Sequence, residues 1–165
     1  MHCYMHMHTS LLYQCICTRI VRAMKKLNRI GLCNCFAARQ AARHLTKLYE
    51  RHLGKAELTS AQFSILVGLE EAGELTMNEL AGAMVMDRTT LLRAIQPLQR
   101  QDLLAGRPSA DDGRRLVLSL STAGKKRLKK AFALWSDAQR ELESMIGAGE
   151  AARLRRDLLG LVRAS

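Results

Sequence analysis

Apolar residues fall at helical spacing through most of the chain. Phe36, Ala41, Leu45, Leu48 and Leu53 line one side of a helix predicted over Asn34–Leu53, and Gly54 is placed to stop it. Thr59 or Ser60 is positioned to cap a second helix, with Phe63, Leu66, Val67 and Leu69 on its apolar side and Gly73 at its close. Leu75-Thr76-Met77-Asn78-Glu79-Leu80 contains the T-x-x-E spacing of a capping box, in which the Thr76 hydroxyl accepts a backbone N–H and Glu79 reaches back. The short helix it opens ends near Met84. Asp87 then caps DRTTLLRAIQPLQRQ, whose buried side is Leu91, Ile95 and Leu98. Arg88, Thr89, Thr90, Arg93 and Gln96 fall largely on the other side. Pro97 removes one backbone donor and is expected to bend or weaken this helix. Two short helices joined by a tight turn make a helix-turn-helix.

Residues 103–107 and 116–120 are predicted as short strands around the turn-rich Pro108–Arg115, PSADDGRR. A hairpin in this place is a wing. Thr122 is expected to cap a long helix carrying Leu128, Phe132, Trp135, Leu142, Met145 and Ile146 at near-heptad spacing. Gly147 and Gly149 break it, and 150–163 forms a last helix with Leu154, Leu158 and Leu161. Residues 1–32 share none of this periodicity. They read as an irregular basic extension with no clear signal-peptide pattern. Met24 opens the more ordinary sequence, so a natural start there is one expectation.

Charge sharpens the picture. The 165 residues carry a formal net charge of +11 with 48% apolar residues, which suits one globular domain with a core. Residues 1–49 contribute +8, 50–86 contribute −4, 87–130 contribute +7, and 131–165 are neutral. A basic block inside the helix-turn-helix region points to a polyanion, nucleic acid first, or else to a solvated basic surface. Few aromatics argue against a stacking platform for single strands. No segment is long and apolar enough for a transmembrane helix. Cys3, Cys15, Cys17, Cys33 and Cys35 all lie near the start, a poor disulfide framework that suits a reducing cytoplasm. His2, Cys3, His6 and His8 favour adventitious metal binding over a built site, and no cofactor or structural metal is expected. No phosphate loop, H-E-x-x-H or G-x-S-x-G occurs, so an enzyme is not expected.

LTSAQFSILVGLEEAGELTMNELAGAMVMDRTTLLRAIQPLQRQDLL followed by DDGRRLVLSLSTAG resembles the MarR family of winged helix-turn-helix transcription regulators, over roughly 33–165. The resemblance implies a mainly α fold with a small β-hairpin wing. Dimerisation helices at about 34–54 and 122–165 would come from both termini, with the winged domain at about 59–121. It implies a cytoplasmic homodimer on a pseudo-palindromic duplex, acting as a repressor released by a small phenolic ligand. Two positions depart from the family pattern. Asp102 stands where Gly is usual, which implies local strain, and Leu92 stands where a polar residue is frequent. Leu92 then either meets a thymine methyl or rests on the core.

Arg88, Thr89, Thr90, Arg93 and Gln96 are the candidate reading surface, since Arg forks onto guanine and Gln onto adenine. Arg114 corresponds to the wing arginine, braced by Asp112, with Arg115 beside it; an Arg there gains from a narrow minor groove. Lys125, Lys126, Arg127, Lys129 and Lys130 form a second basic cluster, open to a phosphate role or a solvated one. Cys35 matches the reactive cysteine of the hydroperoxide-sensing members, and Tyr49 matches a tyrosine that hydrogen-bonds it. Arg39 and Ser60 replace other tyrosines of that site. The alternative at Cys35 is a small apolar residue packed at an interface. His44 and His52 are expected to decorate the first helix. Three readings remain open: ligand-released regulator, hydroperoxide-released regulator, and nonspecific architectural DNA-binding protein.

Overall fold

Helix ends set the architecture of this chain. The computed structural model describes residues 30–109 and 115–163. Contacts divide the chain into residues 1–45 and residues 46–165. The described part of the first unit holds a 3₁₀ turn, Ile30–Leu32, and the opening turns of α1, Asn34–Leu53. The second unit carries the rest. After α1 come α2 (Ser60–Ala72), β1 (Glu74–Thr76), α3 (Met77–Ala83) and α4 (Arg88–Arg100). Then follow β2 (Leu104–Pro108), β3 (Leu116–Leu120), α5 (Thr122–Ile146) and α6 (Ala148–Arg163).

The three strands form one antiparallel sheet in the order β1-β3-β2. Leu104 pairs with Leu120 and Pro108 with Leu116, while Leu75 of β1 pairs with Leu118. The wing is therefore tied to a third strand, at a place where local spacing predicts only the approach to a capping box. Arg107 of β2 reaches over β3 to Glu74 of β1, with Nη2 2.5 Å from Oε2. Leu66, Leu69, Leu80, Leu91, Ile95, Leu98, Leu118 and Leu128 are buried in one core beneath the sheet and helices.

Three of the predicted caps stand. Thr59, rather than Ser60, caps α2 and forms a box with Gln62. Thr76 and Glu79 form the box of α3, and Asp87 caps α4. The cap of α5 is a correction: Ser121, not Thr122, accepts the Gly124 N–H at 2.9 Å. Ser121 Oγ in turn donates to the Asp102 carbonyl at 2.6 Å, a contact that Thr122, inside the helix, could not make from its own position. Pro97 does not end α4, which runs through it to Arg100. Its missing N–H costs one bond, and Leu98 on the core side keeps the last turn seated.

Gly54 does stop α1, but the left-handed residue that reverses the chain is Glu57, at φ 58°. The same arrangement recurs twice. Glu57, Val85 and Asp102 each donate back three residues, and the residues after them donate back five, as in Leu103 N to Leu98 O at 2.9 Å. These are Schellman closures, a place that favours glycine. Val85 (φ 51°) and Asp102 (φ 54°) occupy it with side chains, so the strain expected at Asp102 is present. Val85, β-branched and 72% exposed, has no burial to offset its strain. Val85→Gly and Asp102→Gly are each expected to raise stability by about 1 kcal/mol, read as a higher urea midpoint with unchanged slope.

His52 corrects another expectation. It does not merely decorate α1: its Nε2 lies 2.8 Å from Glu141 Oε2, and Arg51 Nη2 lies 2.7 Å from Glu141 Oε1. Together they clamp the end of α1 to α5. Burial pushes the Glu141 carboxyl up, but hydrogen bonds from His52 and Arg51 outweigh it and hold the group below its ordinary range.

Candidate nucleic-acid interface

The core dictates which side of α4 faces solvent. Leu91, Ile95 and Leu98 are 0–1% exposed, so the residues between them must point outward. Arg88, Thr89, Thr90, Arg93 and Gln96 are all exposed. Leu92 joins them at 43% exposure, which removes the reading in which it rests on the core. Arg88, Leu92 and Gln96 follow one another at four-residue steps, with Thr89 and Arg93 in the parallel line beside them.

The start of α4 is held by Asp87. Its Oδ1 accepts the Thr90 N–H at 2.8 Å and its Oδ2 accepts the Thr90 hydroxyl at 2.6 Å. Those two hydrogen bonds hold the Asp87 carboxyl below its ordinary range. Thr90 is thus part of the cap, and its hydroxyl proton is committed within the protein. Glu79 is lowered in the same way by the Thr76 hydroxyl and amide, helped by the charge of Arg115. A carboxylate lowered on folding stabilises above its unfolded pKa and loses that contribution as pH falls through the folded value. Both caps are accordingly intact at neutral pH.

The wing stands beside this unit. The Ser109 N–H donates to the Arg115 carbonyl at 2.8 Å, extending the pairing of β2 and β3 by one step. Arg115 is exposed just before β3, and its charge reaches Glu79 at the start of α3. Asp112 and Arg114 lie outside the described residues. So do His2, Cys3, His6 and His8. Among the described residues no group of three or more His, Cys, Asp or Glu could hold a metal ion, and no helix is long and apolar enough to cross a membrane.

The second basic cluster divides. Arg127 is half-buried and its Nη1 donates to the Ala56 carbonyl at 2.9 Å and to Glu57 Oε2 at 2.8 Å. It is a strut between α5 and the turn after α1. Lys125, Lys126, Lys129 and Lys130 are exposed. Sequence spacing does not separate the strut from its neighbours, because the partner lies some 70 residues away.

Cys33 and Cys35 are exposed free thiols in the first unit. Tyr49, in the second unit, donates its phenolic proton to Gln139 Oε1. Burial pushes that phenol above its ordinary range, so it stays a neutral donor.

A model of the MarR family matches residues 56–115 of the chain. The organic hydroperoxide resistance transcriptional regulator of Bacillus subtilis is 29% identical over 90 residues, covering 54% of this chain and 61% of that protein. The chain spans 54–62% of the length of the curated relatives it matches. The M. tuberculosis transcriptional regulator MosR, solved in complex with DNA, superposes with a TM-score of 0.71 at 36% identity, covering 80% of this chain and 95% of that one. A mutant of E. coli MarR solved with operator DNA superposes with a TM-score of 0.69 at 24% identity, covering 76% of this chain and 90% of that one, a likeness of fold.

Proposed function

Starting from the fact that this chain belongs to the MarR family, we propose that it is a sequence-specific DNA-binding transcription regulator, a repressor that a small phenolic ligand releases. It is a regulator and not an enzyme. The observation that carries the reading is the outward face of α4. Two arginines, a threonine and a glutamine stand there on a helix whose buried side and N-cap leave it one orientation. Arg88 and Arg93 are assigned to guanine or phosphate, Gln96 to adenine and Thr89 to either. Asp112 and Arg114, on the family resemblance, and Arg115 beside β3 are assigned to the flanking minor groove and backbone.

The working unit is a homodimer. Met145 and Ile146 at the end of α5 and Leu158, Leu159, Leu161 and Val162 on α6 are 37–71% exposed, an apolar surface that a second copy would cover. Two recognition helices would then enter successive major grooves of a pseudo-palindrome.

A second reading, release by organic hydroperoxide, is favoured by the likeness to the Bacillus subtilis regulator and by the exposure of Cys35. The thiol would be oxidised to a sulfenic acid while the hydroperoxide is reduced to its alcohol, one oxygen passing to sulfur. In this reading Tyr49, which the family resemblance pairs with the reactive cysteine, would give up its bond to Gln139.

The deciding experiment is a titration of the full chain against duplexes from upstream of its own and neighbouring genes. It is run at fixed salt, with and without cumene hydroperoxide, beside Cys35→Ser. Tight binding to one palindrome, indifferent to peroxide, is the expected result. Binding lost on oxidation only when Cys35 is present replaces ligand release with thiol sensing. Equal binding to every duplex, with a steep salt dependence, rejects sequence-specific regulation and leaves the architectural role.

A further inference from the structure

We infer that Leu92 is a specificity-determining residue that packs against the C5-methyl group of an operator thymine. The inference rests on the DNA-binding reading of α4 above. Leu92 is the fifth residue of the helix, within the N-terminal part that reaches base edges in this architecture. Its neighbour Leu91 is 0% exposed and Leu92 is 43% exposed, so the fold spends one leucine on the core and leaves the next in water.

The position matters as much as the exposure. At four-residue spacing Leu92 stands between Arg88 and Gln96, with Thr89 and Arg93 beside it. A groove-facing surface therefore has an apolar centre and hydrogen-bonding flanks. Arginine pairs with guanine O6 and N7 and glutamine with adenine N6 and N7. Neither recognises thymine, whose distinctive major-groove feature is a methyl group beside O4. Leucine neither donates nor accepts a hydrogen bond. Against a base edge it contributes only apolar contact, and the thymine methyl is the one apolar group the major groove offers. The threonine methyls of this face, on Thr89 and Thr90, sit on shorter side chains. Against any other base Leu92 would cover a donor or acceptor without replacing its water, which is how an apolar residue discriminates.

The test removes the methyl from the DNA and the side chain from the protein. A duplex selected by the full chain from a pool with a randomised centre is resynthesised with deoxyuridine replacing thymine, one position at a time. In wild type, one thymine per half-site is expected to lose about four-fold in affinity on becoming deoxyuridine, the worth of one buried carbon. In Leu92→Ala that position becomes indifferent to the change, and the other thymines behave alike in both proteins. The salt slope stays the same, since every phosphate neighbour is kept. The residue is exposed, so the variant should melt with wild type. An unchanged deoxyuridine profile in Leu92→Ala overturns the assignment, as does a reduced salt slope. A pool that yields no preferred duplex overturns the sequence-reading role of α4 itself, and with it this inference.

Discussion

Gly124→Ala should be the most damaging single-atom change in the winged unit. A Cβ built at Gly124 lies 2.1 Å from the Leu103 carbonyl oxygen and 3.1 Å from its carbon, while α5 starts directly over the strand that follows α4. The backbone cannot step aside cheaply. The same carbonyl accepts the Ser121 N–H at 3.1 Å, and the Leu103 N–H closes α4 on Leu98 at 2.9 Å. Alanine favours a helix over glycine by about 1 kcal/mol, but the clash is with fixed backbone, and the net cost is expected at about 3 kcal/mol or more. The melting temperature should fall by roughly 6–12 °C. Gly68→Ala is the contrast, because its Cβ meets only the end of the flexible Met84 side chain, Cε at 3.0 Å. A Gly124→Ala protein that melts with wild type would contradict this packing.

Arg88→Ala and Arg93→Ala should abolish tight DNA binding while leaving the fold intact. Both side chains are exposed on α4, so stability should change by no more than about 0.5 kcal/mol. A bidentate arginine–guanine pair is worth about 1–3 kcal/mol, and a dimer would read each arginine twice. Each substitution is then expected to cost about 2–6 kcal/mol on the preferred duplex, some thirty-fold or more. Binding to unrelated duplex should fall far less. Arg115→Ala, just before β3, should instead weaken all duplexes alike and lower the salt slope by about one for each phosphate that Arg115 neutralises. Equal weakening of Arg88→Ala on preferred and unrelated DNA would move Arg88 from base reading to the backbone.

Much of this site is legible from local patterns. The caps at Thr76 and Asp87 read correctly because a side chain three residues from its backbone partner leaves its mark within four letters. The outward face of α4 reads correctly because Leu91, Ile95 and Leu98 can all be buried only on one side of a helix. The helix ends are harder. Glu57 and Val85 take left-handed closures that glycine would announce, so the chain carries no letter for them, and Asp102 shows its closure only against the family pattern. β1 escapes a local reading because three residues are too short for alternation, and because its partner β3 lies more than forty positions away.

By itself the sequence determined the order of the helices and the two wing strands, the capped helix-turn-helix and the polar face it presents, since these follow from periods and spacings within a turn or two. Only the tertiary structure decided that Arg127 is a strut while its lysine neighbours stay exposed, and that His52 clamps α1 to α5. It alone decided that Ser121 takes the cap from Thr122, and that Leu92 faces solvent. Each of those outcomes depends on which distant backbone or carboxylate comes within hydrogen-bonding or packing distance, and that proximity is created by the fold, not by neighbourhood along the chain.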